Sequence, residues 1–136
     1  AEDDDVALSV AKAVKSVDPN LILVVMPGMA TERAGEKLGL RLAREVYADR
    51  GYQENGNLVP RNQQGAIISD PKKATERVLR MLEDNVIITE SGKKISAQLD
   101  TICVHGDNPS AVKMAAEIRN SIQDNGIDLK PFHEFV

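Results

Sequence analysis

The stretch Asp100-Thr101-Ile102-Cys103-Val104-His105-Gly106-Asp107-Asn108-Pro109 brings a titratable imidazole and a carboxylate to the end of an apolar run. Residues 101–104 read as a buried strand, and a helix is expected to open directly after His-Gly-Asp. Asn108 suits the N-cap, and Pro109 suits the first helical turn, where no backbone N–H is needed. In α/β folds this strand-to-helix edge is where ligands bind. A helix start there adds N–H groups and partial positive charge, which favour an anion or a developing oxyanion. His105 is a candidate general acid or base, or a metal ligand, against the plainer reading of a histidine satisfied by backbone. Asp107 either orients His105, contacts substrate or only caps the helix. Gly106 either lets a ligand approach the backbone or merely makes the turn.

A second group closes the preceding long strand: Glu45, Tyr47, Asp49 and Arg50, with Tyr52 just beyond. Asp49 is a candidate base or metal ligand, and Arg50 a candidate carboxylate or phosphate clamp. A structural salt bridge between them is the competing reading. Tyr47 and Tyr52 have the hydroxyls to bind a ligand or the rings to pack. Glu45 lies deeper on the same face, where a buried carboxylate needs a partner. Arg61, in a long polar loop, can close over an anion or stay solvated. Cys103, mid-strand among apolar neighbours, reads as inert core. His133 stands in the tail without a supporting cluster. Zinc-ligand spacing, a P-loop, GxSxG and the dinucleotide fingerprint are absent from the sequence.

The elements that position these residues follow from periodicity. Asp3 to Asp5 can cap a first helix whose apolar face is expected to be Val6, Val10, Ala13, Val14 and Val17. Residues 21–26 form an apolar run bounded by Pro27-Gly28, expected as a buried parallel strand. A short helix over 30–38 ends at Gly39, and a strand over 40–48 alternates Leu40, Leu42, Val46 and Ala48 with polar residues. Residues 51–65 form a loop long enough to be functional or mobile. Asp70-Pro71 opens a helix faced by Ala74, Val78, Met81 and Leu82. Residues 86–89 and 94–97 flank a hairpin turn. Ala111, Met114, Ala115, Ile118 and Ile122 line the last long helix, ended by Asn125-Gly126.

Alternating β and α elements imply parallel strands with right-handed crossovers. Three principal strands leave two open edges, which proteins normally avoid. The expected fold is therefore α/β, one domain over 1–136 forming the parallel-stranded portion of a larger (β/α) barrel. At 136 residues the chain can bury a real core, roughly 68–70% of its unfolded surface. A net charge of −4 with mixed signs, and no tryptophan, argue against nucleic-acid and membrane-surface binding. No apolar run approaches the ~20 residues of a membrane span. The opening Ala1-Glu2-Asp3-Asp4-Asp5 is unlike a signal peptide, and a lone cysteine suits a reducing, cytoplasmic setting. Starting without Met and directly in a helical pattern, the chain is expected to lack an N-terminal portion.

Several segments together resemble the LamB/YcsF family, the A subunit of the bacterial ATP-dependent 5-oxoprolinase, once called the lactam utilization protein. They are Glu45-Val46-Tyr47-Ala48-Asp49-Arg50, Gly56-Asn57-Leu58-Val59-Pro60-Arg61 and residues 100–108. Asp18-Pro19-Asn20-Leu21-Ile22-Leu23, residues 33–40 and Gly65-Ala66-Ile67-Ile68 add to them. The resemblance runs from about the first residue to Gly126 and covers the family's C-terminal half only. The family's Asp-Leu-Asn-Cys-Asp opening is absent, and Val25-Met26-Pro27-Gly28-Met29 departs from its small-polar pattern.

The resemblance implies a distorted seven-stranded (β/α) barrel of the glycoside hydrolase/deacetylase type. It implies a hydrolase that opens the lactam of 5-oxo-L-proline to L-glutamate, coupled to ATP hydrolysis, with partner subunits B and C. On this reading His105, Asp49 and Asp107 are the catalytic candidates. Arg50, Arg61, Tyr52, Gly106, Asn108 and Glu45 are the candidates for binding substrate. An isolated half is expected to be inactive and to associate through its sheet edges, with the missing half of its barrel or with a second copy. The competing functions are a metal-dependent, deacetylase-like C–N hydrolase using His105 and Asp49 as ligands, and a non-catalytic interaction module. The sequence leaves the metal unknown.

Overall fold

Asp3 begins the fold by accepting a hydrogen bond from the Val6 N–H, which caps helix α1 (Asp4–Val17). Strand β1 (Ile22–Val25), helix α2 (Ala30–Lys37) and strand β2 (Arg41–Tyr47) follow. After the long loop come helix α3 (Pro71–Asp84), strands β3 (Val86–Ile88) and β4 (Lys94–Ser96), strand β5 (Thr101–Cys103) and helix α4 (Ala111–Asp124). A 3₁₀ turn spans Phe132–Glu134. The computed structural model describes residues 2–107 and 109–136.

β1 pairs parallel with β2, Leu23 opposite Leu42 and Val24 opposite Ala43. The strand order is β1-β2-β5, and β3 with β4 makes a separate antiparallel hairpin. The Asp100 N–H donates to Arg44 O and, further along, the Ala48 N–H donates to Cys103 O. Both chains therefore advance in the same direction. Contacts gather into two compact units. The first comprises the stretch ending at Val46, with Gln98–Thr101 and Pro131–Val136; the second comprises Tyr47–Ala97 and Ile102–Lys130.

The core of the first unit corrects the expected face of α1. Ala7 and Ala11 are buried with Ala30 and Ala34 of α2, Leu40 and Leu42, whereas Val6, Val10 and Val17 are exposed. The helical period admits either stripe. The alanine stripe wins because small side chains on both helices let their backbones approach. β1 is also less buried than its composition suggests: of its residues only Val25 is fully buried, and Val24 is 42% exposed. β1 is at the outer position of the sheet, where among the described residues no strand pairs with its far flank. β5 is half-buried throughout for the same reason.

The second unit packs α3 against α4 through Ala74, Val78, Met114, Ile118 and Ile122, with Ala48 beneath. Asp70 caps α3 by accepting from the N–H groups of Lys72 and Lys73. The loop over 51–65, expected to be mobile or functional, is tied into this unit. Tyr52 bridges Leu58, Arg50 bridges Ile67, and the Gly51 N–H donates to Ala66 O. A Cβ on Gly51 would overlap the carbonyl of Gly65, so this crossing requires glycine.

Candidate active site

His105 sits just past β5 and Asp49 just past β2, both in the second unit. The imidazole Nδ1 lies 2.7 Å from Asp49 Oδ1, and the His105 backbone N–H donates to Asp49 Oδ2 at 3.3 Å. An ionised carboxylate only accepts, so the proton of this bond belongs to Nδ1. In a neutral imidazole, that arrangement puts the unprotonated nitrogen at Nε2. The Asp49 side chain is 3% exposed and that of His105 is 25% exposed. The carboxylate is thus enclosed and the imidazole is reachable. Tyr47 stacks on the imidazole, with ring centroids 5.3 Å apart and planes 6° apart.

Asp49 is therefore the carboxylate that orients His105. Asp107, the nearer candidate in sequence, instead pairs with Arg61 at 3.4 Å, both side chains more than half exposed. Arg50 is no open clamp. It is 7% exposed, and its guanidinium donates to Ala66 O at 3.0 Å and Val59 O at 2.8 Å, bracing the loop from inside. Tyr52 is fully buried, and its hydroxyl accepts the Tyr47 N–H at 2.8 Å, so it faces the fold rather than a ligand. Glu45 is half-buried in the first unit, and the His105 cluster is built without it. A Cβ on Gly106 would meet open space, so crowding does not demand glycine there.

Asn108, expected as the N-cap of the last helix, lies outside the described residues. α4 opens later than expected, at Ala111, and Ser110 at its cap makes no side-chain capping bond. Cys103 is half-buried in β5. His133 lies in the first unit, where its carbonyl accepts from Arg41. Among the described residues no group of three His, Cys, Asp or Glu is placed to hold a metal, and no helix is long and apolar enough to cross a membrane.

Two arginines escaped the sequence reading. Arg44 of β2 pairs with Glu32, with Glu36 at 2.9 Å and with Asp100 at 3.8 Å in the first unit. Burial alone would lower its pKa, but Glu32, Asp100 and Glu36 outweigh that and hold the guanidinium above its ordinary range. In the second unit Arg77 of α3 lies over the Tyr52 ring, 5.2 Å from its centroid, and donates to Ile88 O at 3.0 Å. No carboxylate among the described residues pairs with it, and burial pushes its pKa down. A cavity of about 590 Å³ is lined by Gln53, Glu54, Asn55, Gln63, Glu90 and Ser91, with Tyr52 and Val59 at its floor. Neither His105 nor Asp49 lines it, so we place the chemistry by the hydrogen-bonded pair rather than by this hollow.

The class so defined is a parallel α/β protein with a histidine–carboxylate pair just past the C-terminal ends of two strands. The chain belongs to the LamB/YcsF family, whose sequence profile matches residues 1–136. It is 45% identical over 131 residues to the 5-oxoprolinase A subunit of Rhodopseudomonas palustris, covering 96% of this chain and 52% of that protein. It is 44% identical over 128 residues to the 5-oxoprolinase A subunit of Natranaerobius thermophilus, covering 94% of this chain and 50% of that one. Among solved structures, the lactam utilization protein from Thermus thermophilus superimposes with a TM-score of 0.84 at 35% identity, over 95% of this chain and 51% of that chain. The chain thus spans about half the length of the relatives it matches.

Proposed function

We propose that this chain supplies the histidine–carboxylate pair to the A subunit of a 5-oxoprolinase, the hydrolase that opens the lactam of 5-oxo-L-proline to L-glutamate. The observation that carries the reading is the 2.7 Å contact between His105 Nδ1 and the enclosed Asp49 carboxylate. A lactam is a stable amide. Opening it requires water to be deprotonated as it attacks the carbonyl and the ring nitrogen to be protonated as it leaves. With its Nδ1–H held by Asp49, His105 takes the proton at Nε2 and returns it to the departing nitrogen. Asp49 fixes the ring and stabilises the imidazolium that forms in between. Asp107 acts on the neighbouring charge: it holds Arg61, and the carboxylate of 5-oxoproline competes for that guanidinium.

ATP hydrolysis is assigned to the whole assembly with subunits B and C. Of the two candidate anion clamps, Arg50 is committed to two backbone carbonyls inside the fold, which leaves it no part in holding a phosphate. The deacetylase-like alternative needs a third metal ligand beside His105 and Asp49, and none joins them among the described residues. The strand order and parallel register suit an arc of a seven-stranded (β/α) barrel. The exposed Val6, Val10 and Val17 of α1 support packing against further protein, the other half of the barrel in this reading.

The test is turnover of 5-oxoproline in the assembled enzyme carrying His105→Ala. A loss of about 10²–10⁴-fold is expected, the ordinary worth of a positioned acid–base group. Unaltered turnover would make the pair structural.

A further inference from the structure

We propose that Tyr47, locked by Tyr52 and Arg77, is a positioning residue that fixes the plane of the His105 ring. The proposal rests on the acid–base reading of His105 given above. Asp49 holds the imidazole at one edge, through Nδ1. A hydrogen bond in the ring plane sets the distance to Asp49 and does not by itself set the tilt of the ring. The near-parallel stack with Tyr47, 6° between planes, acts on that tilt. The two contacts act in different directions, one in the ring plane and one perpendicular to it.

A stacked ring restrains its neighbour only as well as it is itself held. Tyr47 is the last residue of β2, where a side chain's direction is usually loosely set. Here both peptide groups around its Cα are gripped. Its N–H donates to the Tyr52 hydroxyl at 2.8 Å, and its carbonyl accepts from Arg77 Nη1 at a long 3.5 Å. The grip is itself rigid. Tyr52 is fully buried, and Arg77 lies against its ring while its other terminal nitrogen is anchored on Ile88 O of β3. Holding a guanidinium there without a carboxylate is costly, and an apolar side chain would fill the space more cheaply. What arginine adds is a planar fork able to reach two carbonyls at once, one of them that of Tyr47.

The experiment is NMR of histidine-labelled full chain combined with turnover in the assembled enzyme. The sequence holds only two histidines, and His133→Gln assigns the spectrum. Tyr47→Leu removes the shielding ring and sets the downfield position of the His105 ring protons without the stack. Tyr52→Phe keeps the buried ring beneath Arg77 and deletes only the hydroxyl that accepts the Tyr47 N–H. It is expected to move the His105 protons toward the Tyr47→Leu position. It should also lower kcat about tenfold with KM unchanged, since sub-ångström misplacement of a reacting group is felt in rate. If Tyr52→Phe does not fold, Arg77→Lys is the second variant: charge kept, fork lost, a smaller shift in the same direction. Tyr47→Phe should restore both readouts. His105 protons that stay in place in Tyr47→Leu and in the clamp variant overturn the proposal. So does an unchanged kcat in both while His105→Ala is dead. Shifts that move as expected while His105→Ala itself turns over normally sink the acid–base reading instead.

Discussion

Two charge clusters, one in each unit, handle charge in opposite ways. In the first unit Arg44 is met by Glu32, Glu36 and Asp100, more carboxylates than cations. In the second, the Asp49 carboxylate meets the imidazole of His105. A guanidinium keeps its proton at any working pH, so the Arg44 cluster fastens strand to helix and has nothing to transfer. An imidazole exchanges its proton readily, and an enclosed acceptor on one nitrogen directs that exchange to the other. Burial and ion pairing are common to both clusters. The property that separates them is whether the basic partner can let go.

The sharpest way to break this contrast is Asp49→Asn. The amide can present a donor where Nδ1–H needs an acceptor, and the ring then adopts the wrong tautomer. Turnover of the assembled enzyme should fall about 10³-fold, while the urea midpoint stays close to that of the parent chain. A preserved rate would place Asp49 beside Arg44 as mere architecture. The converse experiment is Arg44→Met, which leaves carboxylates facing one another around an apolar side chain. A stability loss of about 2 kcal/mol is expected in chemical denaturation, with no change in the His105 ring resonances. A response at His105 would show that the clusters are not separable.

The smallest effect concerns Glu54, outside both clusters. The Ser91 hydroxyl, then the Thr89 hydroxyl, hold its carboxyl below the ordinary range against some desolvation, with Lys93 adding to them. The folded chain therefore binds fewer protons here than the unfolded one. The contact stabilises above the unfolded pKa and is lost as pH falls through the lower folded value. Ser91→Ala should move the Glu54 titration back up, read from the pH dependence of its carboxyl carbon. An unmoved titration would remove Ser91 as the cause.

The order of elements was legible in the sequence because it rests on local signals: Asp3 and Asp70 as caps, Gly39 and Gly126 as stops, Pro71 inside a helix start. The face of α1 was not, because valine outranks alanine in hydrophobicity, whereas helix contact here rewards small size. His105 was legible from its place after a strand. Its partner was not, since Asp107 is the neighbour in sequence and only the pairing of β2 with β5 shows that Asp49 is the neighbour in space. Arg77 gave no signal at all: within Pro71-Lys72-Lys73-Ala74-Thr75-Glu76-Arg77 it reads like any solvated helical cation. The loop over 51–65 reads as functional or mobile because of its length. Its order comes from the buried Tyr52, Val59 and Arg50 and from a glycine crossing that composition does not reveal.

The division into units has a practical side. The chain passes from one unit to the other at 46/47, 97/98, 101/102 and 130/131, so no single cut releases either of them intact. Removing residues 131–136 would reach back to Arg41, whose guanidinium is held by the carbonyls of His133 and Val136. The two units are best cloned, trimmed and engineered together.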